Sequence, residues 1–121
     1  MPSFRYVRLY TGPDGLSHFE DVAIDLRDVG RASDISEVLA ASGLVFRHNR
    51  LDYDLDWHPA PRRQFVVNLT GEVDITASDG EVRRFGPGSV MLAEDTTGKG
   101  HKSRSVGAEE RHSIFIHLSS E

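Results

Sequence analysis

The sequence predicts an all-β protein, a sandwich or barrel that carries one short helix. Short runs of alternating apolar and polar residues recur along most of the chain, as in half-buried strands. Glycine- and proline-rich turns separate these runs at intervals of roughly 8–12 residues, a spacing typical of sandwiches and barrels. The 121 residues suffice for one domain, so a single domain is expected over residues 1–121.

The first third of the chain predicts two strands followed by the helix. Residues 4–10 and 18–26 are strand candidates, and the turn residues 11–15 separate them. Residues 34–42 are the helix candidate because Asp34 and Glu37 have the spacing of a capping box. Gly43 follows, a residue that commonly ends helices.

From residue 44 onward the strand signals are dense. The strand candidates are residues 44–53, 64–70, 72–77, 81–85, 89–93, 101–106 and 111–118. In residues 64–70, Phe65, Val67 and Leu69 form one apolar face, whereas the other face mixes Val66 with polar residues. The mixed face is expected to line an interior that accepts polar groups, and the apolar face to cover a second sheet or a partner subunit.

Composition excludes several classes of function. The formal net charge is −5, so nucleic acid is not an expected partner. There are no cysteines, which excludes thiolate metal sites, iron–sulfur clusters and disulfides. No stretch has the length and apolar character of a membrane-spanning helix, and the N-terminus lacks a signal-peptide pattern. A cytoplasmic protein with no membrane partner is therefore expected.

Residues 44–118 resemble a single-domain cupin, a small antiparallel jelly-roll barrel. His58 lies at the first histidine of the cupin His-x-His motif, Ala60 at the second, and Gln64 at the following glutamate position. Gly71 then follows at the spacing of the family. Gly88 matches the glycine that opens the second motif, and His101 matches the histidine of that motif. The resemblance implies a core barrel over residues 44–118, with residues 4–43 adding the N-terminal strands and the helix, and a homodimer.

The resemblance also implies a divalent transition metal, namely zinc, nickel, manganese or iron, bound by His58, Gln64 and His101. Imidazoles and a carbonyl oxygen that converge from neighbouring strands are suitable ligands for such ions. Ala60 removes one expected imidazole, and His48, His112 or Asp56 are alternative sources of a fourth ligand.

A small-molecule ligand is the expected partner. Arg62 and Arg63 precede a predicted strand, where a guanidinium can bind a carboxylate in bidentate fashion. Tyr53 and Trp57 are candidates for aromatic walls of the pocket, and the alternating pattern of the last strand places His112 on its inward face.

Two hypotheses of function follow. The first is a metal-dependent lyase, isomerase or dioxygenase that acts on a small carboxylate or sugar acid. The second is a metal-free protein that binds or senses a ligand, or a metal-free isomerase. The acidic pair Glu94 and Asp95 lies in a predicted loop before His101, and we expect both carboxylates to be solvated.

Overall fold

The computed structural model describes residues 2–119, and the fold is all-β. More than half of the described residues lie in strands. The strands of residues 2–119 are β1 (Ser3–Thr11), β2 (Ser17–Asp25), β3 (Arg27–Asp28), β4 (Asp34–Ile35), β5 (Ala41–Asn49), β6 (Asp54–His58), β7 (Gln64–Thr70), β8 (Glu72–Ala77), β9 (Val82–Phe85), β10 (Val90–Glu94), β11 (His101–Val106) and β12 (Arg111–Leu118).

The strands form two principal sheets. The larger has six strands in the order β2-β1-β10-β7-β12-β5, and the smaller has four in the order β6-β11-β8-β9. Strand β1 pairs with β10 in parallel, and β7 pairs with both β10 and β12 in antiparallel fashion. Strands β3 and β4 form a separate two-stranded ribbon. Over residues 2–119 no ladder joins the two principal sheets into a closed barrel, so the predicted closed barrel is not found.

One hydrophobic core lies between the two sheets. Leu9 of β1, Val66 of β7 and Met91 of β10 contribute from the larger sheet, while Val73 and Ile75 of β8 contribute from the smaller. All five side chains are buried. Since β1 supplies a fully buried leucine, the core includes the N-terminal strands as well as residues 44–118.

The helix predicted over residues 34–42 is wrong. Asp34–Ile35 forms β4, the next five residues are irregular, and β5 begins at Ala41. A helix this short needs a buried apolar face to be stable. The side chains that would provide this face, Val38 and Leu39, are 95% and 56% exposed, so no packing supports the helix.

The strand predictions for residues 64–70, 72–77, 101–106 and 111–118 match β7, β8, β11 and β12 at both ends. The predicted strand 44–53 stops earlier, at Asn49. A turn follows in which the Tyr53 backbone N–H donates to the Arg50 carbonyl at 3.1 Å. This turn reverses the chain into β6, which crosses to the smaller sheet.

Ser17 of β2 links the two principal sheets at one edge. Its backbone N–H donates to Ser78 Oγ at 2.6 Å, and its hydroxyl donates to the Gly100 carbonyl at 2.7 Å. Ser17 is buried, and its hydrogen bond with Gly100 is shielded from water. The hydrogen bond from the Ser17 hydroxyl fixes the position of Gly100, which immediately precedes His101.

Residues 2–119 contain no helix of the length and apolar character that crossing a membrane requires.

Candidate functional site

An interior cavity of about 460 Å³ lies between the two sheets. Its walls come from both sheets and from the segment between β6 and β7. The residues that line it are Val45, Arg47, Tyr53, Leu55, His58, Ala60, Pro61, Arg62, Gln64, Val66, Ile75, Met91, Ala93, His101, Ser103, Arg111, Phe115 and His117.

The charged groups of the cavity wall have one sign. Three arginines line it, and no aspartate or glutamate of residues 2–119 does so. The chain as a whole has a formal net charge of −5, so the cavity is a local exception. A concave site with one sign of charge concentrates ions of the opposite sign. The cavity is therefore suited to an anionic molecule.

His58 and His101 lie side by side in this cavity. They are directly paired residues of β6 and β11, and their ring centroids are 4.5 Å apart. Gly100 allows this approach because a Cβ atom there would overlap with the backbone carbonyl of His58. Its φ of +75° is also one that glycine adopts readily.

Both imidazoles are oriented through Nδ1. His58 Nδ1 donates to the carbonyl oxygen of Asp56 at 2.7 Å, and His101 Nδ1 donates to Asp95 Oδ2 at 2.5 Å. With Nδ1 as the donor, Nδ1 carries the hydrogen in the neutral rings and Nε2 carries the lone pair. Each histidine thus has an Nε2 that can accept a proton or bind a metal.

Asp95 is fully buried, so the expectation that it is a solvated loop residue is wrong. Its backbone carbonyl accepts a hydrogen bond from the Ala60 N–H at 3.0 Å, which holds the loop against the segment after β6. Of its two carboxylate oxygens, Oδ2 binds His101, and Oδ1 has no partner within residues 2–119. A carboxylate behind an imidazole fixes the orientation of the ring.

Glu94 is also held by partners rather than by solvent. It accepts hydrogen bonds from Arg8 Nε and Arg63 Nε, both at 2.6 Å. Burial opposes its ionisation, but the hydrogen bonds from Arg8 and Arg63 outweigh that effect and lower the pKa of Glu94. Arg63 is therefore committed to an ion pair outside the cavity.

Gln64 presents an unsatisfied acceptor. It is buried at the start of β7, and its Oε1 has no hydrogen-bond partner in the described part of the chain. His117 lies directly opposite on β12, and Arg62 Nη1 donates to His117 Nε2 at 3.2 Å. His117 is thus already engaged, whereas Gln64 Oε1 is free to accept a ligand or a metal ion.

Three donors of a kind that a divalent metal can bind line the same cavity. Two imidazole Nε2 atoms and one orphaned amide oxygen are neutral donors of the kind that first-row transition metals accept. Ala60 lines the same cavity with a methyl group, so it contributes no ligand. Among residues 2–119 no three His, Cys, Asp or Glu side chains lie close enough to hold a metal. A third protein ligand beside His58 and His101 would therefore be a side chain of another type, and Gln64 is the candidate.

Arg111 is a buried cation in the cavity wall. It is 5% exposed, and it donates from Nε to Asn68 Oδ1 at 2.6 Å and from Nη1 to Asn49 Oδ1 at 3.2 Å. Both partners are uncharged amides. Burial lowers its pKa to about 10, because the charged form loses its hydration.

An irregular pairing in β6 determines which of its side chains reach the cavity. Between the pairs His58–His101 and Leu55–Ser103, β6 contains one more residue than β11. Such a bulge shifts the alternation of side chains. Leu55 and His58 both line the cavity, while Asp56 is exposed and does not line it, so its carboxylate is not placed as the fourth ligand.

The structure brings together five of the predicted site residues. These are the three predicted metal ligands with Tyr53 and Arg62. The Tyr53 hydroxyl hydrogen-bonds with Ser103 Oγ at 2.9 Å, which holds the ring against β11.

Trp57, Arg63 and His112 do not line the cavity. The Trp57 ring packs beneath Lys99 Nζ at 4.2 Å on the outside of β6. His112 hydrogen-bonds with Thr70 Oγ1 at 2.8 Å and stacks on His48 at 5.0 Å between centroids. The predicted inward orientation of His112 is wrong because the inward residues of β12 are its odd-numbered positions, including Phe115.

Sequence reasoning missed Arg47, Asp95, Arg111 and His117. Arg111 and His117 are odd-numbered positions of β12, as Phe115 is, so the three residues lie on the same face of the strand. This pattern identifies them as cavity residues once the inward face is known. The loop position of Asp95 before His101 is a weaker signal. Arg47 is exposed on β5, and no sequence pattern distinguishes it.

The sequence matches no protein-family profile, and no curated protein aligns with it significantly. Among solved structures, it is similar to a conserved protein of unknown function from Streptococcus pyogenes. The TM-score is 0.42 at 15% sequence identity, covering 79% of this chain and 95% of that chain. These comparisons leave the cupin resemblance as a hypothesis.

Proposed function

We propose that this chain is a cupin-type protein that binds a small carboxylate or sugar acid, together with a divalent transition metal, in the interior cavity. The observation that carries the proposal is the set of three donors that line this cavity. His58 and His101 have their Nδ1 atoms engaged and their Nε2 atoms free, and Gln64 has a buried oxygen without a partner.

In this proposal His58, Gln64 and His101 hold the metal, which is zinc, nickel, manganese or iron. A bound ion of this kind supplies Lewis-acid polarisation of a substrate oxygen. Asp95 keeps His101 in the tautomer that presents Nε2, and the backbone carbonyl of Asp56 does the same for His58.

The proposed reaction is that of a lyase, isomerase or dioxygenase, and the preferred metal discriminates among them. Iron favours oxygen chemistry, whereas zinc, nickel or manganese favours lyase or isomerase chemistry. The cationic wall supports an acidic substrate because it holds three arginines and no described carboxylate.

The test is metal binding by the purified full chain. Chelator-treated protein is titrated with zinc, nickel, manganese and ferrous ions by calorimetry, and the metal content of untreated protein is measured by mass spectrometry. We expect one ion per chain, and a loss of at least tenfold in affinity in His58→Ala, Gln64→Ala and His101→Ala.

His48→Ala is the matched control, since it removes an imidazole that hydrogen-bonds with Glu110 outside the cavity. It should leave the metal affinity unchanged. Equal affinity in the wild-type protein and the three site variants would contradict the metal site.

A metal-free isomerase or ligand-binding protein is the second candidate, and the Asp95–His101 pair favours it. A histidine whose Nδ1–H is held by a buried carboxylate can act as a general base through Nε2. It would remove the proton next to the carboxylate of a bound acid. Exchange of that proton with solvent deuterium, followed by NMR in chelator-treated protein with 2-hydroxy acids, tests this candidate. Asp95→Asn should slow the exchange, and exchange that requires added metal would exclude the candidate.

A homodimer is also part of the proposal. The outer face of the larger sheet bears a groove, here called the outer groove, which the structure leaves partly exposed. Its apolar lining residues are Phe4, Tyr6, Ile24, Leu26, Ile35, Leu39, Phe65, Val67, Val90 and Ile116. A partly exposed apolar surface of this kind supports association of two copies.

A further inference from the structure

The cavity contains a buried positive charge for which the described chain provides no counter-charge. Arg111 is 5% exposed, and no aspartate or glutamate within residues 2–119 forms an ion pair with it. By contrast, the guanidinium groups of Arg8, Arg83 and Arg84 all form ion pairs at or near the surface. Buried charges in folded proteins are normally paired.

The hydrogen bonds of Arg111 leave donors free. A guanidinium has five N–H groups. Asn68 and Asn49 each accept one of them through an amide oxygen, and the described chain provides no acceptor for the other three. Since Arg111 lines the cavity, an occupant of the cavity can reach these donors.

The amide partners also fix the orientation of the guanidinium. Asn68 is fully buried, and its Nδ2 donates to the Gly71 carbonyl at 2.8 Å, which turns its Oδ1 toward Arg111 Nε. A guanidinium held in this way requires little reorganisation when it binds a ligand. The site is therefore built before any ligand arrives.

The cavity also has an apolar part that suits the body of an organic acid. Val66, Ile75 and Phe115 line the same cavity as Arg111.

We propose that Arg111 binds the carboxylate of the ligand, and that the ligand is a small organic monocarboxylate whose apolar body lies along Val66, Ile75 and Phe115. This inference rests on the proposed function only in taking the interior cavity as the ligand site, and it does not require the metal. Under this inference the residue that recognises the acid is Arg111, and not Arg62 or Arg63 as the sequence predicted.

The surroundings of Arg111 favour a carboxylate over a phosphate. A planar guanidinium matches a carboxylate with two parallel hydrogen bonds, and one negative charge balances its single positive charge. Phosphate sites usually gather several cations or a nest of backbone N–H groups. Here Arg111 is the one buried arginine of the described wall. Besides burial, the charge of Arg47 also lowers the pKa of Arg111, but Arg47 and Arg62 are both exposed to solvent.

The test uses NMR on chelator-treated wild-type protein. The guanidinium Nε–H resonance of Arg111 is assigned, and the protein is titrated with acetate, hexanoate and benzoate. Acetamide, hexanamide, benzamide and inorganic phosphate serve as comparison probes. We expect the carboxylates to shift this resonance, the amides to leave it in place, and hexanoate and benzoate to bind at least tenfold more tightly than acetate.

Two variants accompany the titration. Arg111→Lys keeps the positive charge but loses the planar guanidinium with its parallel N–H donors. We therefore expect the affinity for benzoate to fall at least tenfold. Arg104→Lys makes the same change on the outward face of β11 and should bind as the wild type does.

Each other result overturns the inference. If the amides shift the Arg111 resonance as strongly as the carboxylates, charge recognition is absent. If phosphate binds more tightly than benzoate, the assignment to a carboxylate is wrong. If carboxylates bind but shift only the Arg62 or Arg47 resonances, Arg111 is not the recognition residue.

Because metal is absent throughout, failure of the metal site would leave these results unaffected. Failure of carboxylate binding would leave metal binding by His58 and His101 standing.

Discussion

Gly100 shows how one missing side chain determines the geometry of the site. It lies against the His58 backbone, with its carbonyl bound by Ser17, and it directly precedes His101. Any Cβ atom would force the two strands that carry the histidines apart. The close contact of the imidazoles therefore depends on a glycine at this position.

Gly100→Ala should destabilise the fold more than Gly15→Ala. Both residues have left-handed backbones, with φ of +75° and +81°, so both changes incur the same backbone cost of about 1–2 kcal/mol. Nothing lies within 4 Å of a Cβ at Gly15, whereas at Gly100 the overlap with His58 adds about 1–3 kcal/mol. Urea unfolding of both variants measures the difference, and equal losses of stability would show that the close contact relaxes freely.

The two buried charges of the cavity region are compensated differently. Asp95 has an imidazole partner, so a proton on His101 would complete an ion pair within the protein. Arg111 has only amide partners, and its compensation must come from outside the chain. This difference is why Asp95 is interpreted as a positioning residue and Arg111 as a ligand-binding residue.

Sequence reasoning located part of the site but could not orient it. The motif spacing selected His58, Gln64 and His101, which the structure brings to one cavity. His112 was misplaced because apolar residues were assumed to mark the interior. In this fold the outer face of the larger sheet is apolar too, with Ile116 in the outer groove, so alternation alone does not tell inside from outside.

At the scale of elements, strands with clear alternation were predictable, and the segments between them were not. The bounds of β7, β8, β11 and β12 followed from alternation and turn glycines. The bulge in β6 has no such sequence pattern. An extra residue changes the face of the strand to which the following side chains point, but it does not change the composition of the segment. The false helix at residues 34–42 had a correct capping pattern but lacked a surface to pack on, which is a tertiary property.

Two turns at one edge are held together by His18. This residue of β2 hydrogen-bonds through Nε2 with Asp14 at 2.8 Å and through Nδ1 with Asp79 at 3.1 Å. Asp14 lies in the turn between β1 and β2, and Asp79 in the turn between β8 and β9. The hydrogen bond with Asp14 raises the pKa of His18 and, although burial opposes it, the charged form is favoured in the folded protein.

The stabilisation from His18 should therefore decrease as the pH rises. A group whose pKa is raised on folding stabilises fully below its unfolded pKa, about 6.5 for histidine, and loses this effect as the pH rises through the folded pKa. Urea unfolding of the wild type and of His18→Asn across neutral pH measures the effect. We expect the stability difference between them to shrink toward alkaline pH, and a difference that is constant or grows would contradict the assignment.

At the scale of the whole molecule, the outer groove and the exposed residues beside it predict self-association. Leu69 extends the outward apolar face of β7 and is 49% exposed. Light scattering after gel filtration should give about 27 kDa for the wild type, twice the 13.5 kDa of the chain. Leu69→Lys should shift this toward the monomer mass, because a charge in the interface is poorly tolerated.

Val82→Lys is the control, since Val82 is similarly exposed at 54% but lies on the smaller sheet. It should remain dimeric. A monomeric wild type, or equal dissociation of both variants, would contradict an interface on the larger sheet.

The parallel pairing of β1 with β10 has a consequence for biosynthesis. The ribosome releases β1 first, but one of its two neighbours in the sheet is not made until residues 90–94 emerge. Until then β1 and β2 can form only a hairpin, and an isolated two-stranded hairpin is marginally stable in water. The larger sheet therefore cannot close around β1 until residues 90–94 have been made, and until then one edge of β1 is unpaired.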